Sequence, residues 1–221
     1  MIVDERIITF INSLDMKNSE ILEDIEREAL ADNVPIIRRE MQSFLKVLLM
    51  VKKPMRVLEV GTAVGFSALL MSEYVPEECA ITTIENYEKR IPIARQNFVR
   101  AGKEKKITLL EGDAMDVLKT LEGPYDFIFM DAAKGQYIHY MPEAVRLLSD
   151  GGILMSDNVL QDGDIIESRF AVERRNRTIH SRMRDYLYEL KHSDVLETSI
   201  IPLGDGVALS IKKKKEEKEN R

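Results

Sequence analysis

The chain has 221 residues, 44% hydrophobic and 32% charged, which is typical of one globular domain with a sizeable core. Its formal net charge of −6 argues against a molecule that binds nucleic acid over its whole surface, but it allows a local basic patch. Cys79 is the only cysteine, which excludes an internal disulfide and a cysteine-based zinc site and favours a reducing, cytoplasmic setting.

Membrane and secretion signals are not expected. No apolar run reaches the roughly 18 residues of a membrane span, and acidic residues interrupt the first ten positions, unlike a signal peptide. We therefore predict one domain over residues 1–211 that begins with N-terminal helices. We interpret residues 212–221, "KKKKEEKENR", as a charged, solvated tail.

Helical patterns precede the first predicted strand. Residues 4–30 are amphipathic, and residues 35–51 carry apolar side chains at helical spacing behind Pro35, which suits a first helical position. The apolar face of this second segment comprises Ile37, Met41, Phe44, Leu45 and Leu48.

Five short β-rich runs follow and alternate with helical segments. Near-continuous apolar strands that alternate with helices predict a parallel sheet in a Rossmann-like, doubly wound α/β fold. The runs are 56–60, 80–85, 107–111, 125–131 and 152–157, and the helical segments are 65–75, 87–101, 113–121 and 137–149.

The last part of the chain has a different pattern. A helix is predicted over 166–190, and two further strands, 195–203 and 206–212, flank the turn sequence "GDG". These strands predict an antiparallel hairpin that completes a seven-stranded sheet. The apolar stripe of the helix comprises Ile179, Met183, Tyr186, Leu187 and Leu190.

The stretch "VLEVGTAVGFS" has the strand–turn–helix order of a ligand-binding loop. Gly61 and Gly65 would let the backbone approach a ligand closely. The G-x-x-x-G spacing differs from the dinucleotide pattern, and Glu59 would repel a phosphate but suit a positively charged amine or sulfonium. An ordinary strand-to-helix turn explains the loop equally well when it is taken alone.

Two further acids follow the second and third predicted strands. Glu85 is placed to accept the ribose hydroxyls of an adenosine, although it could be a surface acid at a strand end. Asp113 could reach an adenine amino group, cap the following helix, or do both. With the glycine loop, these residues favour S-adenosylmethionine over NAD.

Oxygen-bearing side chains end the fourth and fifth predicted strands. Asp131, Asp157 and Asn158 form a hard-ligand set, because ligands bind beyond the carboxyl ends of strands in such sheets. Mg²⁺ is the natural candidate. Lys134 could act as a base or steer a substrate oxyanion. The alternative is an Asp131–Lys134 ion pair, with Asp157 and Asn158 in turns.

These motifs together resemble the divalent-cation-dependent O-methyltransferases of the catechol and caffeoyl-CoA type. The resemblance covers roughly residues 34–211 and rests on "LEVGTAVGFSAL", "ITTIE", "EGDA", "FMDAAKGQY" and "GGILMSDNV". It implies a class I methyltransferase fold, Mg²⁺ on Asp131, Asp157 and Asn158, and Lys134 beside the reacting hydroxyl. The implied catalytic residues are Lys134 and Asp131, and the cofactor contacts are Val34, Glu59, Gly61, Thr62, Ser67, Glu85, Asp113, Ala114 and Asp131.

The chain departs from the small-phenol members of this family at two places. Many of them read D-x-D-K-x-N-Y where this chain reads "DAAKGQY", so Ala133 and Gln136 replace an acid and an amide. A tryptophan that often follows the Asp-Asn pair is absent from "DNVLQDGD". These differences argue against a small aromatic acceptor and leave the metal ligands intact.

Residues 169–184 hold six arginines and one glutamate, which fits contacts with phosphates. A solvated helix face or a subunit interface would carry the same charges. With "DAAKGQY" and "RRNRT", this stretch resembles the bacterial tRNA 5-hydroxyuridine methyltransferases of the family, which implies a tRNA anticodon loop as partner and a homodimer. The expected tRNA-binding residues are Arg38, Arg39, Arg174, Arg175, Arg177 and Arg182.

The expected function is therefore methylation of the 5-hydroxyl of wobble 5-hydroxyuridine, giving 5-methoxyuridine. Methylation of a small catechol-like phenol is the alternative, since it needs the same residues apart from the arginines. An RNA-binding protein that keeps the fold without catalysis and an NAD dehydrogenase are less well supported. The retained Asp131, Asp157 and Asn158 set argues against the first, and the glycine spacing argues against the second.

Overall fold

A computed structural model describes residues 3–214 of the chain and contains the seven predicted strands. The strands are β1 (Arg56–Val60), β2 (Ala80–Glu85), β3 (Ile107–Glu111), β4 (Tyr125–Met130), β5 (Leu148–Ser156), β6 (Leu196–Ile201) and β7 (Val207–Lys212). The helices are α1 (Glu5–Ser13), α2 (Glu20–Ala31), α3 (Arg39–Lys52), α4 (Phe66–Tyr74), α5 (Ile91–Arg100), α6 (Ala114–Thr120), α7 (Tyr137–Leu147) and α8 (Arg177–Lys191).

The strands form one mixed sheet in the order β3-β2-β1-β4-β5-β7-β6. Strands β1 to β5 pair in parallel, whereas β7 is antiparallel to both β5 and β6. This confirms the predicted doubly wound α/β fold with a C-terminal antiparallel hairpin. The carboxyl ends of β1 to β5 consequently share one edge of the sheet.

Successive residues of a strand point to opposite sides, and the central strands are apolar at successive positions, so both faces of the sheet are apolar. Val57 belongs to the cluster packed against α2 to α5, and Leu58 belongs to the cluster packed against α6 to α8. Helix α1 buries none of its residues. No helix within residues 3–214 is long and apolar enough to cross a membrane.

Three predicted helices begin at least four residues later than expected, and α5 is one of them, since it starts at Ile91 instead of residue 87. Helix α3 starts at Arg39 instead of Pro35, because the chain at Arg38 is extended and the Gln42 side chain donates to the Ile37 carbonyl oxygen. Helix α8 starts at Arg177 instead of residue 166. Its apolar pattern reaches no further back than this, and residues 161–166 and 174–176 form short 3-10 turns.

The buried stripe of α8 also differs from the predicted one. His180, Met183, Tyr186 and Leu190 are buried, whereas Ile179 is 37% exposed. The apolar pattern alone could not place a histidine in the core. At the end of the chain, β7 extends to Lys212, and residues 215–221 of the predicted tail lie outside the described residues.

Candidate active site

A cleft of about 560 Å³ opens at the carboxyl edge of the sheet. Its walls come from residues 35–38, from the loops that follow β1 to β5, and from the turn between β6 and β7. Ligands of doubly wound sheets bind at this edge. The predicted site residues that line the cleft are Arg38, Gly61, Thr62, Ser67, Glu85, Ala114, Asp131, Lys134, Asp157 and Asn158.

The other predicted site residues lie outside the lining. Val34 packs against the apolar core, and its N–H donates to Ala29 O at 2.8 Å. Asp113 is exposed and caps α6, since its Oδ1 accepts the Met115 N–H at 2.8 Å. The structure therefore shows the predicted helix cap of Asp113, whereas its side chain does not line the cleft where adenine would bind.

The loop after β1 fits tightly under the loop after β4. Gly61 has a φ of 102°, and a Cβ at this position would overlap the carbonyl oxygen of Asp131. Any other residue would have both a strained backbone and a steric conflict with main-chain atoms. The glycine therefore sets the distance between the two loops that form the centre of the cleft.

Glu59 lies beneath the cleft in a chain of hydrogen bonds. Its carboxylate accepts the hydroxyls of Ser67 and Thr83, each at 2.5 Å, and Thr62 Oγ1 lies 2.5 Å from Thr83 Oγ1. Burial raises the pKa of Glu59 to about 7, against the opposing effect of these hydrogen bonds. Glu59 is fully buried, so it acts on the cleft through Ser67 and Thr62, which line it.

Both oxygens of Glu85 already accept backbone N–H groups. Oε2 accepts the Ala63 N–H at 2.7 Å, and Oε1 accepts those of Asn86 and Tyr87 at 3.0 and 2.9 Å. A carboxylate has about four acceptor positions, so ribose hydroxyls could still bind it. The hydrogen bonds fix the carboxylate in the cleft and tie the loop after β1 to the loop after β2.

Two carboxylates, that of buried Asp157 and that of partly buried Asp131, follow adjacent central strands. Met130 of β4 pairs with Ser156 of β5, so Asp131 and Asp157 occupy the next register position of each strand. Burial raises the pKa of Asp131 to about 6. Burial, followed by the charge of Asp131, raises the pKa of Asp157 to about 7. Two carboxylates with raised pKa values at one point create a demand for positive charge.

Tyr137 supports this pair from below. Its buried hydroxyl lies 3.2 Å from both Met130 O and Asp157 O, and it accepts the Ala132 N–H at 3.3 Å. The ring meets Tyr186 edge-on at 5.6 Å, within the packing of α7 against α8. One side chain thus fixes the loops that carry the two carboxylates. Tyr137 ends the motif "DAAKGQY", but the motif alone did not predict this role.

Lys134 forms its ion pair with Asp205, a residue that was not predicted to belong to the site. Its Nζ lies 3.2 Å from Oδ2 of Asp205, which is only 4% exposed and lines the cleft. The alternative pair with Asp131 is not observed. Asp205 was assigned only to the turn "GDG", but it is a carboxylate at the same sheet edge as Asp131 and Asp157, which is a signal that could have identified it.

The predicted basic patch divides into engaged and free side chains. Arg39 pairs with Glu26 of α2 at 3.0 Å, and Arg38 pairs with Asp162 at 3.3 Å at the mouth of the cleft. Three arginines near α8 donate to main-chain carbonyl oxygens: Arg177 to those of Val172 and Phe170, Arg182 to that of Gly135, and Arg184 to that of Ile165. Arg175 forms an ion pair with Glu173. Arg174 and Arg169 are exposed and have no hydrogen bond or ion pair within residues 3–214.

Comparisons with known proteins agree with this geometry. The family model described as O-methyltransferase matches residues 12–213. Caffeoyl-CoA O-methyltransferase 2 of Populus trichocarpa is 32% identical over 180 residues, which span 75% of this chain and 70% of that protein. Catechol O-methyltransferase of Niastella koreensis is 34% identical over 128 residues, 56% of this chain and 58% of that protein.

The chain belongs to the O-methyltransferase family. It is an S-adenosylmethionine-dependent O-methyltransferase of the caffeoyl-CoA and catechol type, which transfers a methyl group to an oxygen atom. A candidate caffeoyl-CoA O-methyltransferase from Staphylococcus aureus superposes with a TM-score of 0.86 at 30% identity over 95% of this O-methyltransferase and 100% of that chain. The SAH-bound methyltransferase PaMTH1 of Podospora anserina superposes with a TM-score of 0.86 at 26% identity over 95% of each chain.

The donor set of this O-methyltransferase fits a hard divalent cation. Asp131, Asp157 and Asn158 supply two carboxylates and an amide oxygen at one place in the cleft. Within residues 3–214 no three His, Cys, Asp or Glu side chains converge to hold a metal by themselves. The ion would therefore keep open positions for water or substrate oxygens, as Mg²⁺ commonly does.

The raised pKa values predict that Mg²⁺ binding to the O-methyltransferase depends strongly on pH. The protonated forms of Asp131 and Asp157 stabilise the folded protein. This stabilisation is lost as the pH rises through the pKa of Asp131, about 6, and that of Asp157, about 7. Mg²⁺ would bind only the ionised pair, so its apparent affinity is expected to increase on the order of 100-fold between pH 5.5 and pH 8.

Calorimetric titration of Mg²⁺ at several pH values, in buffers of different ionisation enthalpy, measures both the affinity and the protons released. The Asp157→Asn variant is the control, because it lacks one of the two titrating groups and should show a weak affinity with a shallower pH dependence. An Mg²⁺ affinity that stays constant between pH 5.5 and pH 8 would contradict the assignment.

Proposed function

We propose that this O-methyltransferase methylates the 5-hydroxyl of wobble 5-hydroxyuridine in tRNA, in the cytoplasm, giving 5-methoxyuridine. The observation that supports an RNA acceptor is the presence of two exposed arginines, Arg169 and Arg174, which make no hydrogen bond or ion pair within residues 3–214 and lie on the segment that leads into α8. Helix α8 packs directly against the loop that carries Lys134. Guanidinium groups bind phosphates through paired hydrogen bonds, so a polynucleotide could be held beside the cleft.

The cofactor would occupy the part of the cleft formed by the loops after β1, β2 and β3. Gly61 and Ser67 line the region suited to the methionine part, and Glu85 and Ala114 line the region suited to the adenosine. Buried Glu59 lies beneath Ser67, and the positive charges of S-adenosylmethionine would favour its ionised form. The SAH-bound state of PaMTH1 supports the same cofactor.

The acceptor would be activated at the acidic edge of the cleft. Asp131, Asp157 and Asn158 would hold Mg²⁺, whose charge would stabilise the deprotonated 5-hydroxyl. Lys134 would assist deprotonation or hold the oxyanion. S-Adenosylmethionine would supply the methyl group: the acceptor oxygen would gain a C–O bond as the S–C bond breaks, and S-adenosylhomocysteine would be released. An anticodon-loop base is unstacked and can be splayed into a pocket.

A small catechol-like phenol is the second candidate acceptor. The similarity to the catechol O-methyltransferase of Niastella koreensis favours it. A catechol presents two neighbouring oxygens, as 5-hydroxyuridine does, and would use the same acidic edge. It has no phosphates, so it would not need the free arginines.

Transfer of labelled methyl to tRNA distinguishes the two acceptors. Total tRNA from cells that lack the protein is incubated with labelled S-adenosylmethionine and Mg²⁺, with EDTA in a parallel reaction, and digested to nucleosides. We expect labelled 5-methoxyuridine only without EDTA. The tRNA proposal would be wrong if no labelled 5-methoxyuridine formed while catechol was methylated.

The same assay tests the arginines. We expect Arg169→Ala with Arg174→Ala to raise the KM for tRNA about 10-fold or more, to weaken its salt dependence, and to leave catechol kinetics unchanged. These two residues are preferable to Arg177, whose removal would also release the main chain at 170–172. Arg27→Ala, on the opposite face of the sheet, is the matched control. Equal losses in the control would count against a tRNA site.

We also propose that the protein is a homodimer. Helix α1 buries none of its side chains, and Ile7, Phe10 and Leu14 are 52%, 63% and 68% exposed. An apolar face of this kind is suited to an interface with a second copy. A monomeric mass in light scattering at micromolar concentration would contradict this proposal.

A further inference from the structure

The turn between β6 and β7 lies at the catalytic edge of the sheet. Because β7 is antiparallel to both β5 and β6, strand β6 runs in the same direction as β5. The turn at residues 202–206 therefore follows the carboxyl end of β6 and lies beside the loop that follows β5. A hairpin turn that merely reverses the chain would not need to contact that loop.

Asp205 connects two separate loops through one carboxylate. Its Oδ2 lies 3.2 Å from Lys134 Nζ in the loop after β4. Its Oδ1 accepts the backbone N–H of Asp162 in the loop after β5. The Asp205 carboxylate is 4% exposed, so it is held within the fold, whereas the Lys134 side chain is 36% exposed and its half of the ion pair is open to the cleft. A buried carboxylate with two partners on different loops fixes their relative positions.

The main chain of the turn holds the loop after β5 as well. The Leu160 N–H donates to Asp205 O at 2.9 Å, and the Val159 N–H donates to Gly206 O at 3.0 Å. Any Cβ at Gly206, whose φ is 86°, would overlap the Leu160 side chain. The held loop contains non-glycine residues with positive φ, and such conformations persist only where the surroundings enforce them. These residues are Asn158, Gln161 and Asp162.

The charge arrangement gives the ion pair a functional consequence. A divalent cation held by Asp131, Asp157 and Asn158 would repel the ammonium group of Lys134. Asp205 is the carboxylate that lies within ion-pair distance of that group in the described part of the chain. It would therefore keep Lys134 facing the cleft when the cation is present, and a flexible lysine without it would lose this position.

We infer that Asp205 is a positioning residue, which holds Lys134 toward the acceptor oxygen and secures the Asn158 loop. This inference rests on methyl transfer at this site, but it does not depend on whether the acceptor is tRNA or a phenol. Two variants distinguish the ion pair with Lys134 from the hydrogen bond to the loop after β5. Asp205→Asn keeps an oxygen for the Asp162 N–H but loses the charge, whereas Asp205→Ala loses both.

The test is a double-mutant cycle with Lys134→Met, measured on whichever acceptor the wild type methylates. We expect Asp205→Asn to lower kcat about 100-fold, with KM for S-adenosylmethionine changed less than about 3-fold. In the Lys134→Met background, Asp205→Asn should have almost no further effect. Hydrogen exchange of the 157–163 amides, which needs no activity, should remain slow in Asp205→Asn and become faster in Asp205→Ala.

Additive losses of kcat in the cycle would overturn the positioning role. Equal amide protection in Asp205→Ala and the wild type would overturn the loop role. If the wild type methylates neither tRNA nor catechol, the proposed acceptors fail. The exchange data, with the affinity of each variant for S-adenosylmethionine, then still decide whether Asp205 secures the loop.

Discussion

Asp157→Ala is expected to abolish Mg²⁺-dependent methyl transfer, lowering kcat/KM at least about 10³-fold. The substitution removes one of the two adjacent carboxylates and leaves Asp131 and Asn158 too few to hold a hard divalent cation. It also removes a buried group with a raised pKa, so the metal-free protein should be as stable as the wild type at pH 8, or more stable. Methyl-transfer kinetics and thermal unfolding with and without Mg²⁺ measure both effects.

The control for this variant is Asp194→Ala, an exposed aspartate in the loop before β6. It should retain wild-type activity and the Mg²⁺-induced rise in Tm. Binding of S-adenosylmethionine should survive in Asp157→Ala, because the glycine loop, Ser67 and Glu85 are unchanged. Full activity of Asp157→Ala in the presence of EDTA would show that no cation acts at this edge of the cleft.

Gly61→Ala is expected to destabilise the protein by about 3 kcal/mol or more and to eliminate binding of S-adenosylmethionine. The added methyl would meet the main-chain carbonyl of Asp131, which cannot rotate away as a side chain could. The loops after β1 and β4 would have to separate, and the register that places Asp131 beside Asp157 would be disturbed. Urea unfolding and calorimetry with S-adenosylmethionine are the measurements.

Gly102→Ala separates the two causes of this loss. Gly102 also has a positive φ, 64°, but a Cβ there would meet no atom within 4 Å. It should cost only the backbone strain, about 1–2 kcal/mol, and leave cofactor binding intact. If the two variants were equally destabilised, the close approach of the β1 and β4 loops would not be what requires glycine at position 61.

Periodicity and turn residues were sufficient to predict the sheet. The bounds of β1, β2 and β3 agree with prediction, because each is a short apolar run between clear turn signals. Helix α8 was predicted eleven residues too early, at 166 instead of 177, because arginines carry no apolar period that could locate its start. His180, buried with neither ring nitrogen hydrogen-bonded among the described residues, could not be assigned to the core from its residue type.

The candidate site was predictable where residues follow parallel strands. Asp131, Asp157 and Asn158 share the cleft because the carboxyl ends of β4 and β5 lie together. The connections made across the sheet were not predictable. Asp205 reaches Lys134 only because β7 inserts between β5 and β6, and Tyr137 reaches two loops only because α7 folds back beneath them. Each depends on a three-dimensional path that no local pattern encodes.

The position of β7 also bears on the order in which the protein can be assembled during synthesis. Domains fold as the chain emerges from the ribosome, yet β7 follows the other six strands of the described residues and lies between two of them in the sheet. Until residues 207–212 emerge, the apolar edge of β5 is unpaired and open to wrong partners. The nascent chain therefore contains Asp131, Lys134, Asp157 and Asn158 before this edge of β5 can be paired.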